Sequence, residues 1–86
     1  MSIYTPQMRE AVHRLRPPHG ISIAIVDYDT FLGVQFYESQ MAHLSEKQRL
    51  DCHQYFNLVK TIIASFGVNT TLDPILDLKY NDTRRI

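Results

Sequence analysis

Apolar residues recur along this chain with two periods, and the switches between them mark its elements. Met8, Ala11, Val12 and Leu15 are spaced to share one face of a helix. Thr5-Pro6 supplies its start, a hydroxyl N-cap followed by proline at the first helical position. Pro17-Pro18-His19-Gly20 stops it, and from residue 21 the period becomes two. Ile21, Ile23 and Ile25 alternate with Ser22, Ala24 and Val26; Leu32, Val34 and Phe36 then alternate with Gly33, Gln35 and Tyr37. Two such runs around Asp27-Tyr28-Asp29-Thr30 predict a β-hairpin with one strongly apolar face and a second face that is only partly polar.

Residues 38–44 fit either an extension of the second strand or a loop with a helical turn. Ser45 and Gln48 form a capping-box pattern, which starts a helix expected to run to residue 65 or 66, with Gly67 as its left-handed C-terminal residue. Cys52, Tyr55, Phe56, Val59, Ile62, Ile63 and Phe66 make the stripe that would lie on the sheet. Leu50 is nine residues before Val59, hence about 180° away at ~100° per residue and on the opposite side. Beyond Gly67, residues 68–72 read as loop or extended chain. Alternation of Leu76, Leu78 and Tyr80 with Asp77, Lys79 and Asn81 predicts a third strand over 75–80. Residues 1–4 and 81–86 are expected to be loose ends.

The order helix, hairpin, long helix, strand gives one small α+β domain over residues 1–86, with a long amphipathic helix packed on a small antiparallel sheet. Eighty-six residues make a marginal core, and two or three strands leave edges unpaired. The single cysteine, Cys52, excludes an intrachain disulfide and fits a reducing compartment. Nine Lys and Arg balance nine Asp and Glu, so there is no net positive field for phosphate-driven nucleic-acid binding. No apolar run approaches the ~20 residues of a bilayer span, and MSIYTPQMRE lacks the apolar core of a secretory signal. The expectation is an intracellular protein, cytoplasmic or nuclear, in which the sequons at Asn69 and Asn81 are chance matches. A second copy or a related chain would add core and hide edges together.

In layout the chain resembles the roadblock/LC7 family of small dimerising modules. The short helix over residues 8–15, Gly20, the strand over 21–26, the acidic turn 27–30, the strand over 32–36, the helix over 45–66 and a strand over 76–80 follow in that order. The resemblance implies a scaffold that dimerises through sheet and helix, serves motor, vesicle or small-GTPase regulatory complexes, and has no active site. It is one of layout, without a diagnostic motif: the turn lacks the family's usual glycine, and the chain ends before the remaining strands and last helix would fit.

A chemical alternative starts from the tip of the hairpin. Ile23-Ala24-Ile25-Val26-Asp27-Tyr28-Asp29-Thr30 resembles the first motif of haloacid-dehalogenase-type phosphatases. That resemblance would make Asp27 the nucleophile, Asp29 the general acid/base and Mg²⁺ the cofactor. Thr30-Phe31 departs from the motif, and 86 residues are too few for a doubly wound sheet whose βαβ units take ~30 residues each. Aspartates at a turn are also expected simply because they bond nearby amides. Cys52 and His53 point ~100° apart on a helix and make no nucleophile–base pair. His13, His19, His43 and His53 have no zinc-ligand spacing. Arg9, Arg14 and Arg16 with Met8, Val12 and Leu15 make a short cationic amphipathic helix, which could meet RNA, an acidic partner or an anionic surface.

These readings favour a non-enzymatic interaction module without cofactor or metal, a subunit or adaptor that forms a homodimer or heterodimer with a protein partner. The residues expected at its interface are Tyr28, Phe31, Gln35, Tyr37, Leu50, Leu76, Leu78 and Tyr80, a mixed aromatic and aliphatic set of the kind that interface cores use.

Overall fold

The structure, a computed structural model, describes residues 3–75. Helix α1 (Pro6–His13) starts as the sequence directs, with Thr5 accepting from the Met8 amide and Pro6 in the first turn. After a single 3₁₀ turn (Pro18–Gly20), strands β1 (Ile23–Asp27) and β2 (Leu32–Tyr37) form the expected hairpin, with Ile23 opposite Phe36 and Asp27 opposite Leu32. Residues 38–41 resolve the open alternative as a helical turn, α2 (Glu38–Met41). Helix α3 (Glu46–Ala64) carries the capping box in full: Ser45 Oγ accepts from Gln48 N and Gln48 Oε1 accepts from Ser45 N. Gly67 adopts φ +82°, the left-handed geometry expected after the helix.

A strand forms where the sequence leaves loop or extended chain. β3 is Thr70–Ile75, and it runs parallel to β2, with Leu32 beside Thr70 and Tyr37 beside Ile75. The sheet is therefore mixed rather than antiparallel, in the order β1-β2-β3. A parallel neighbour needs a crossover, and α3 supplies it by carrying the chain back toward the start of β2. Pro74 lies in β3, at the edge of the described sheet, where a missing N–H need cost no ladder bond. The predicted strand positions Leu76, Leu78 and Tyr80 lie outside the described residues.

One face of the sheet is covered. Leu32, Val34 and Phe36 from β2 are buried against Met8 and Val12 of α1 and Cys52, Tyr55, Phe56, Val59 and Ile63 of α3. Phe56 stacks on Phe36 at 4.8 Å, and His53, outside the apolar stripe, meets both rings edge-on. Phe66, expected in the stripe, lies past the helix end and is exposed. Among the described residues no polar or charged side chain is fully buried.

Burial raises the pKa of the Cys52 thiol, with the neighbouring Asp51 charge adding to the shift. It also raises the phenols of Tyr55 and Tyr4; Tyr4 assists at Tyr55, and Arg9 opposes the shift at Tyr4. These groups bind their protons more tightly folded than unfolded. Their contribution is intact below the ordinary thiol range, at about pH 8.5, and is lost as pH rises past there and through the phenol range. The urea midpoint is expected to fall as pH rises above about 9, and Cys52→Ala should blunt the first part of that fall.

Candidate interaction surface

The hairpin tip is built by Asp27. Its side chain lies on the helix-covered face, where Oδ2 accepts from the backbone N–H groups of Ile3 at 2.7 Å and Tyr4 at 3.0 Å. Oδ1 accepts from Asp29 N at 2.8 Å, which closes an Asx turn and holds Asp29 at φ +74°. Ile3 and Tyr4, which the sequence assigns to a loose end, are thereby tied to the sheet. Asp27 thus serves as a structural clasp, its oxygens engaged by the chain. Among the described residues no three His, Cys, Asp or Glu side chains converge as metal ligands would.

The opposite sheet face is covered by no helix among the described residues. Pairing register puts Ala24, Val26 and Tyr28 on it from one side, Phe31, Gly33, Gln35 and Tyr37 from the centre, and Thr71, Asp73 and Ile75 from the other. Tyr28 and Phe31 stack with ring centroids 4.7 Å apart. Tyr28 is exposed; Phe31, Gln35 and Tyr37 are half-buried. Gly33 is needed beneath this pair, since a Cβ there would stand 2.8 Å from Tyr28 Cε2. Gly33→Ala is expected to lift the Tyr28 ring, costing roughly 1 kcal/mol with the stack. Near-ultraviolet circular dichroism and a denaturant titration would register both changes.

Of the expected interface residues, the structure brings Tyr28, Phe31, Gln35 and Tyr37 together. Leu50 does not join them: it is exposed on α3, in the helix layer on the other side of the sheet. Leu58 and Phe66 are exposed in that layer too. Ala24, Val26 and Ile75 were missed as surface positions, although the partly polar second alternation of the hairpin was the signal for the first two.

The face is nearly uncharged. Among the described residues Asp73 is its one carboxylate, and it accepts from the Thr71 hydroxyl at 3.0 Å. Charge gathers instead at α1, where Arg9 lies over the Tyr4 ring at 5.6 Å and Arg14 and Arg16 are exposed. No described helix is long and apolar enough to cross a membrane. No family model, characterised protein or solved structure matches this chain.

Proposed function

We propose that this chain is a non-enzymatic interaction module, a small subunit or adaptor that assembles through the uncovered sheet face with a second copy of itself. The observation that carries this reading is the one-sided sheet. Helices bury Leu32, Val34 and Phe36, while Ala24, Val26, Tyr28, Phe31, Tyr37 and Ile75 form an apolar and aromatic surface with no described element over it. Sheets with two apolar faces are stable when both are packed, and stacking two copies would do that without opposing charges across most of the contact. The roadblock/LC7-like scaffold enters this proposal as a resemblance of layout, helix, hairpin and long helix in that order, and a single buried, unpaired cysteine fits a reducing intracellular setting.

A Tyr28→Lys/Tyr37→Lys double variant tests the surface. Native mass spectrometry and light scattering should show the unmodified protein as a dimer and the variant as a monomer. The variant should still unfold cooperatively at high dilution, its stability lowered by no more than the roughly 1 kcal/mol of the Tyr28–Phe31 stack, since neither tyrosine contributes to the helix-side core. An unchanged oligomeric state in the variant would remove the sheet face from the assembly.

A further inference from the structure

We propose a second docking site, in which the outer edge of β1 and the apolar groove beside it receive an extended strand from an acidic protein partner. The first argument is the alternation of the ladder. Tyr28 N–H donates to the Phe31 carbonyl at 3.0 Å, so these residues form a hydrogen-bonded pair. Along the antiparallel register the bonded positions recur at Val26 and Ala24. The backbone N–H and C=O groups of Ile23 and Ile25 therefore point away from β2, to the side where no described strand pairs. Residues 23–26 carry no charge, lysine or proline, the usual guards against strand addition.

The groove gives that edge a place for side chains. It has a volume of about 340 Å³ and is lined by Tyr4, Val12, Leu15, Ile23, Ile25 and Tyr55, with His13 among them. Because Ile23 and Ile25 supply both the open backbone groups and part of the lining, an added strand would lay alternate side chains over the groove. Those side chains should be apolar.

Charge selects the occupant. Leu15 and Pro17 line the groove, and the exposed Arg14 and Arg16 flank them in sequence. A second copy docked along β1 would bring its own Arg14 and Arg16 toward these arginines, whereas a strand with acidic flanks would complement them. This surface is separate from the uncovered sheet face and shares with that reading only the premise that the chain works by binding protein.

The test uses the full chain, labelled with ¹⁵N, and two synthetic peptides with the same Val-Thr-Val-Thr-Val centre, one flanked by Glu-Glu at both ends and the other by Lys-Lys. The Glu-flanked peptide should shift amides of residues 12–17 and 22–26, with affinity roughly tenfold or more above that of the Lys-flanked peptide. N-methylation of its central amides should abolish binding. Ile25→Pro removes an outward N–H and should abolish binding in a protein that still unfolds cooperatively. Should that variant fail to fold, Arg14→Glu/Arg16→Glu on the surface should reverse the peptide preference. In the Tyr28→Lys/Tyr37→Lys protein the peptide should bind as before, which separates this site from the self-association surface. Equal binding of the two peptides, no shift at the β1 edge, or concentration-dependent shifts there without peptide would each overturn the proposal.

Discussion

Asp27→Ala is expected to lower the free energy of unfolding by roughly 2–4 kcal/mol, because three backbone N–H groups lose a charged acceptor at once. Two of them, from Ile3 and Tyr4, join the chain's N-terminal end to the sheet across more than twenty residues of sequence. The third sets the turn through Asp29. Asp27→Asn keeps one carbonyl oxygen but turns an NH₂ toward donors, so it should fall between alanine and the unmodified chain. Urea titration gives the magnitude, and amide exchange should show residues 3 and 4 losing protection before the core does. The same pair of proteins addresses phosphoryl transfer. A generic phosphate ester with Mg²⁺ should be turned over by neither protein; Mg²⁺-dependent hydrolysis lost in Asp27→Asn would make Asp27 a nucleophile instead.

Phe56→Ala should cost more, about 3–5 kcal/mol. Phe56 is fully buried on α3, stacked on Phe36 and met edge-on by His53 and at a tilt by Tyr55. Its removal opens a cavity between the helix layer and the sheet, where β2, the central strand, has little freedom to collapse. Domains of this size hold only about 5–15 kcal/mol in total and often sit at the low end. The variant is therefore expected to lose its cooperative thermal transition at room temperature, or to retain only a shallow one. Phe56→Leu, which keeps most of the volume, should retain the transition at a lower midpoint.

Much of the fold was legible because its signals are local. Thr5-Pro6, the Ser45–Gln48 capping box, the left-handed Gly67 and the period-two hairpin each act within a few residues, and each is realised. The third strand was not legible for a physical reason. Its position is set by where α3 returns the chain beside β2, a long-range constraint, and Asp73 and Pro74 within it disfavour a strand even though Thr70 and Thr71 suit one. The alternation at Leu76, Leu78 and Tyr80 was the stronger local pattern, and it lies outside the described residues.

The candidate surface was half legible. Alternation showed which hairpin residues share a side, and so gathered Tyr28, Phe31, Gln35 and Tyr37 correctly. Nothing in sequence placed Leu50 relative to that side, because the layer order of helix and sheet decides it. The role of Asp27 was also hidden, since its donors Ile3 and Tyr4 are remote in sequence. That no described strand pairs with the outer edge of β1 follows from β3 pairing with β2, and could be seen only once the strand order was known.

Sedimentation equilibrium of the purified, unmodified chain over a wide dilution series tests the central claim most directly. The expected result is a species of twice the 10.0 kDa chain mass that dissociates on dilution, with the Tyr28→Lys/Tyr37→Lys protein monomeric throughout. A cooperatively folded monomer at every concentration would contradict assembly of two copies through the uncovered sheet face.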